Sequence, residues 1–452
     1  MSKKQSTKSM ERKSIKQRIT GISKKKIVSI VVLAIVMLAT ISAIVYSVNN
    51  VSNIKKSFNK SEPIQALTST ADVKAIWVNT FGAATNASYT DNDTPYSIIQ
   101  IKDGGYIVGG RIYAPNGIDF GNNVEIGSHS DTGTDEDDGF IAKYNSDGEC
   151  MWAKVIGSTL SEEAVYSLIP TKDGGFIAAG EASYSNLGNG IPNGGGGFII
   201  KFNSEGEAEW AKDIPSGGGC IYSVTVDNED NVFVGGGFWH NIDLGDGVTL
   251  TWNGSGQQNG MIAKYDSKGV CKWAKTIGGN NRSGNYYTGE DIVKSVAVEN
   301  NGNVVAVVRA FSKNIDLGNG INISKEVEDN TYYTIIAQYN ADGEAEYARQ
   351  QKGTACSVVA NANGGYIVAS NVRSTRSYTE EQEKFDLGNN VSVLLGYDYV
   401  TGVIAEYNEK NECQRRKYYY IKIYICGLYK SNNCYWRQRD CNRGSCSESR
   451  FR

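Results

Sequence analysis

The sequence predicts an all-β fold made by repeating one four-stranded unit five times, and three observations lead there. Short apolar runs alternate with turns rich in Gly, Asn and Asp, and the runs recur in one fixed order. Glycine is frequent, at 51 residues, while proline is held to 6, which suits many short strands closed by tight turns. After Val48 no stretch sustains a helical periodicity.

Each unit opens with a strand beginning at the residue before a serine: YSIIQIKDGG from Tyr96, YSLIPTKDGG from Tyr166, YSVTVDNED from Tyr222, KSVAVENNG from Lys294 and CSVVANANGG from Cys356. A second apolar strand follows the turn: YIVGG at Tyr106, FIAAG at Phe176, VFVGG at Val232, VVAVV at Val304 and YIVAS at Tyr366. A loop comes next, with IDFGNN at Ile118, SNLGNG at Ser185, IDLGDG at Ile242, IDLGNG at Ile315 and FDLGNN at Phe385. The third strand reads FIAKYNSDGE at Phe140, FIIKFNSEGE at Phe198, MIAKYDSKG at Met261, IIAQYNADGE at Ile335 and VIAEYNEKN at Val403. The fourth strand carries an aromatic residue: Trp152, Trp210, Trp273 and Tyr347. Gly and Asn between apolar runs supply the positive φ that tight hairpins need. Four antiparallel strands in a repeat of roughly 55 to 75 residues make the blade of a β-propeller. A blade cannot bury both faces alone, so blades stack.

The register of the ends predicts how the ring closes. AIWVNTFG, around Trp77, reads as a fourth strand with no third strand before it, and the unit begun at Cys356 reaches its third strand with a spoiled fourth. Strand Ile76–Thr80 is therefore expected to pair with Val403–Tyr407, closing a five-bladed ring over residues 75–414 and removing an open edge.

The pattern resembles bacterial exported and cell-surface β-propeller repeat proteins. Asp138-Gly139-Phe140-Ile141-Ala142-Lys143-Tyr144 and Gly148 through Trp152 carry the match, with Asn231 and Asn303 in the later turn. It extends from about Trp77 to Cys413 and implies architecture; such scaffolds serve many activities, so it implies no particular one. The DLGNG loops are a departure that lengthens each blade.

Residues 1–26 are basic and precede Ile27–Val48, an uncharged apolar run long enough to span a bilayer as a helix. Lys24, Lys25 and Lys26 abut it, so the positive-inside rule places the N-terminus in the cytoplasm and the rest outside. A cleaved signal peptide is the rival reading, against which the run is long and no good small-x-small site follows. Residues 49–74 are polar and read as a stalk. The tail, 415–452, holds ten Lys/Arg, four of the nine cysteines and almost none of the repeat's glycine-turn pattern. It reads as a frameshifted or disordered segment that contributes no blade strand; its Cys426, Cys434, Cys441 and Cys446 lack zinc-site spacing. With ten bases and one acid in the first 26 residues, 26 bases and 46 acids remain between the two basic ends, a net of about −20. Such a surface repels phosphate backbones, so no nucleic-acid partner is expected.

The sequence names no catalytic, cofactor-binding or metal-ligating residue. His129 and His240 stand outside metal-binding patterns, and no nucleophile elbow is present. The acidic run from Asp131 to Asp138 lacks calcium-loop spacing and reads as a solvated insertion. Asp119, Asp243, Asp316 and Asp386 read as turn formers, the recurring tryptophans as inter-blade packing, and Cys150, Cys271 and Cys413 as small apolar fillers. The expectation is a membrane-anchored extracellular module that binds an unknown protein or glycan, or acts as a scaffold, without catalysis. The alternative is a glycan-active hydrolase, which needs two placed carboxylates that break the repeat symmetry.

Overall fold

The computed structural model describes residues 93–421 apart from several connecting loops, together with 437–442 and 445–450. The basic start, the apolar run Ile27–Val48, the stalk and Ile76–Thr80 lie outside the described residues, as do His129 and most of the acidic run. No helix among the described residues is long and apolar enough to cross a membrane.

Five four-stranded antiparallel sheets follow one another along the chain. The first blade comprises Thr94–Gln100, Tyr106–Ile112, Asp138–Tyr144 and Cys150–Ile156. The second comprises Ala164–Pro170, Phe176–Ala182, Gly196–Phe202 and Ala208–Ile214. The third runs through Ile221–Val226, Val232–Phe238, Asn259–Tyr265 and Cys271–Ile277, and the fourth through Ile292–Val298, Val304–Ala310, Tyr333–Tyr339 and Ala345–Lys352. The fifth consists of Thr354–Ala360, Tyr366–Arg373, Val400–Tyr407 and Cys413–Ile421. In each blade the strands lie in chain order, so every connection is a hairpin or a longer hairpin-type loop.

The fifth blade corrects the expected closure. The edge of Val400–Tyr407 assigned to Ile76–Thr80 is taken by Cys413–Ile421, with Arg415 opposite Glu406 and Lys417 opposite Ile404. The tail thus begins with a blade strand, and 437–442 pairs with 445–450 as a further hairpin. An edge offers backbone N–H and C=O groups, and any proline-free strand in register can meet them whatever its side chains.

Local chemistry sets the turns. Between third and fourth strands, the Asn145 side chain accepts from the Asp147 and Glu149 backbone N–H groups at 3.0 and 2.9 Å. Asn203, Asp266, Asn340 and Asn408 repeat this. The following glycine takes a positive φ in four blades; in the fifth, Asn411 takes φ 61° in its place.

First strands pack closely on one another in succession, while among the described residues neighbouring fourth strands make at most slight contact. The blades therefore radiate from their first strands. Four apolar clusters straddle successive blades, such as Ile107 and Ile141 with Leu168, Phe176 and Ile200. The small hairpins made by the DLGNG loops tuck Ile118 and Phe120, Ile242 and Leu244, Ile315 and Leu317, and Phe385 and Leu387 into those clusters or into that of the first blade. Among the described residues the first strands of blades one and five do not pack on one another as neighbouring first strands do.

Candidate functional site

Every first strand carries a bulge at the same place. Register shifts occur between Pro95 and Ser97, Val165 and Ser167, Ile221 and Ser223, Val293 and Ser295, and Ala355 and Ser357. The skipped residues are Tyr96, Tyr166, Tyr222, Lys294 and Cys356. A bulge leaves one residue unpaired and re-aims its side chain.

The serine beside each bulge joins one blade to the next. The backbone N–H groups of Leu168, Val224, Val296 and Val358 donate to the hydroxyls of Ser97, Ser167, Ser223 and Ser295, each at 3.1 Å. This ladder holds successive first strands at one height, so the bulged side chains meet in a row. The Tyr96 and Tyr166 ring centroids are 5.2 Å apart, and those of Tyr166 and Tyr222 are 5.5 Å apart. The Lys294 ammonium lies 3.6 Å from the Tyr222 ring centroid, a cation–π contact. Cys356, which is exposed, ends the row and accepts from Asn371 Nδ2 at 3.3 Å.

Charged groups on neighbouring strands flank the row. The Tyr166 hydroxyl donates to Glu181 Oε1, and burial raises the Glu181 carboxyl above its usual range. Arg111 meets Asp137 at 3.1 Å, and Arg309 meets Glu290 at 2.5 Å. Lys294 has no carboxylate at ion-pair distance among the described residues; burial first, and Arg309 next, lower its pKa. The row offers aromatic hydroxyls, an ammonium and a thiol on a fixed backbone, which suits polar contact with a ligand.

The sequence readings fall out as follows. The aspartates of the DLGNG loops are turn formers: Asp119, Asp243, Asp316 and Asp386 each accept from the backbone N–H two residues on, at 2.8 to 2.9 Å. The tryptophans pack between blades: Trp210 Nε1 donates to the Ser267 carbonyl at 3.1 Å and Trp273 Nε1 to the Ala341 carbonyl at 3.0 Å. Cys150, Cys271 and Cys413 are buried thiols, and burial pushes the first two up to about 11. His240 is exposed beside Trp252, with ring centroids 5.7 Å apart. One reading is corrected: Asp137 and Asp138, the end of the acidic run, are buried at 5% and 1% exposure, because Asp138 opens the third strand and Asp137 pairs with Arg111. Sequence reasoning passed over the bulge row itself. Its signal was present: the serine is constant across the repeats, while the residue before it changes from Tyr to Lys to Cys.

No protein-family model matches the sequence, and no curated protein matches it. Among solved structures, one similar chain is a protein of unknown function from Bacteroides caccae. It is 12% identical, the match covers 62% of this chain and 89% of that one, and the TM-score is 0.32.

Proposed function

We propose that this protein is a non-enzymatic binding or scaffold module, held at the outer face of the cell membrane by Ile27–Val48, with its ligand meeting the bulge row. One observation carries the reading: a backbone device repeated five times presents tyrosine in three blades and departs from it in the other two. The bulge and its serine recur in every blade, whereas the presented residues run Tyr, Tyr, Tyr, Lys and Cys. The two departures set an ammonium and a thiol beside the tyrosine rings at one height in the stack. The uncharged run after a block of lysines supports the anchor. A protein or a glycan is the ligand class that aromatic hydroxyls and a single ammonium suit.

The test uses the full chain in detergent against arrayed glycans and surface proteins. Binding that is lost in Tyr166→Ala/Tyr222→Ala, with the melting temperature of the double variant recorded beside it, supports the reading. Binding that survives in a folded double variant defeats the row as the site, and turnover of a bound glycan defeats the non-enzymatic part. Protease added to intact cells reports the topology, since an external propeller is removed and an internal one is protected.

A further inference from the structure

One kind of interface stacks the five blades and is used four times. Each blade offers the next a trailing face, and each receives it on a leading face. The trailing faces of blades one to four centre on Ile107 and Ile141, Ile177 and Ile199, Phe233 and Ile262, and Val305 and Ile336, all at most 1% exposed. The same slots in blade five, Ile367 and Ile404, are only half-buried, and the third strand there alternates buried and half-buried residues along its length. On the leading side, Leu168, Val224, Val296 and Val358 are 3 to 5% exposed, whereas Ile98, in the same slot of blade one, is 38% exposed. The serine ladder ends in the same way. Ser357 repeats the hydroxyl that meets the next blade's N–H in the first four blades, and no sixth blade follows it among the described residues.

Stacked-repeat proteins stay soluble as single chains by ending in units with a polar outer face. Here both ends keep the apolar residues of an internal interface, and the two ends are the complementary halves of that interface. We propose that the trailing face of one copy's fifth blade binds the leading face of a second copy's first blade, so that chains associate head to tail. The contact continues the internal one: Ile367 and Ile404 of one copy meet Ile98 of the other, and Ser357 receives the Ile98 N–H. Such a contact uses two different patches, so it propagates until a ring closes or a filament forms. The proposal is independent of the bulge row and of any ligand.

The experiment measures the mass of the full chain in detergent from roughly 1 to 100 μM. Wild type is expected to form species heavier than one 49.1 kDa chain, growing with concentration. Ile98→Asp blocks the leading face and Ile404→Asp the trailing face, so each alone is expected to remain monomeric. An equimolar mixture of the two is expected to form dimers and nothing larger, because one intact face of each kind remains. Ile367→Asp replaces Ile404→Asp if the latter misfolds by circular dichroism. Wild type that stays monomeric throughout overturns the proposal. So does a wild-type monomer that Ile98→Asp destabilises, which would mean that blades one and five meet within a single chain. A mixture that assembles no more than either variant alone also overturns it.

Discussion

Glu299 is a buried carboxylate whose partner, Gln338, stands where other blades put a cation. Lys143 and Lys201, in the first two blades, pair with Asp103 at 2.7 Å and Asp173 at 2.8 Å. Gln338 holds that slot in the fourth blade and donates through Nε2 to Glu299, which is 3% exposed and whose Oε1 has no hydrogen-bond partner among the described residues. Burial raises the Glu299 carboxyl above its usual range. The folded state therefore holds this proton more tightly than the unfolded chain. Stability is unpenalised below the unfolded pKa, and the penalty grows as pH rises through the folded one. Glu299→Gln is expected to gain about 1 kcal/mol at pH 7, close to the cost of an unmet buried polar atom, and almost nothing at pH 4. Urea melts at the two pH values check this; equal effects at both would show that the charge is not the cause. The serine ladder gives a second comparison. Ser223→Ala is expected to lose about 1 kcal/mol with its bond to the Val296 N–H. Ser357→Ala is expected to leave dilute thermal melts unchanged.

At the scale of the element, each fourth-strand tryptophan braces the next blade. Trp273 lies over the Asn340–Glu344 turn, where a Cβ on Gly343 would fall 2.6 Å from the indole, and Gly343 also holds φ +78°. Trp273→Ala is expected to cost about 3 kcal/mol, and Gly343→Ala to be destabilising on both counts; denaturant melts measure each. The fifth blade reverses an expectation from sequence. Truncation after Gln414 should have been harmless if the tail were no part of a blade. Because Cys413–Ile421 pairs along Val400–Tyr407, truncation is expected to expose that edge and speed amide exchange in Val400–Tyr407. Unchanged exchange there would mean that the pairing adds nothing to stability. Strand boundaries and turns were legible because they rest on neighbours in sequence: Asp386 caps Gly388, and Asn408 closes its own turn. The final strand was not, because Arg415 stands in the slot of the tryptophan and the edge selects for backbone, not for that side chain.

For the whole molecule, charge opposes the association that the apolar ends favour. With a net of about −20 between its basic ends, each copy repels the next, and salt screens that repulsion over about 10 Å at 0.1 M. Head-to-tail assembly of wild type is therefore expected to strengthen between 50 and 500 mM salt, as roughly a tenfold fall in apparent Kd. Sedimentation at the two ionic strengths checks this, and weakening with salt would assign the contact to ion pairs instead of apolar faces.

The sequence by itself determined the unit and its number. Five serines, five second strands and five third-to-fourth turns follow from residue types a few positions apart, where hydrogen bonds and φ preferences act within the segment. The turn-forming role of the DLGNG aspartates and the filler role of Cys150, Cys271 and Cys413 were legible for the same reason. Only the tertiary structure decided which residues come together across blades. Tyr96, Tyr166, Tyr222, Lys294 and Cys356 are separated by 56 to 72 positions, yet the serine ladder brings their bulges into one row. Whether an isoleucine is core or surface was decided there too. Ile98 and Leu168 occupy one slot in one repeated sequence, and the presence or absence of a packed neighbouring blade makes one 38% exposed and the other 4%.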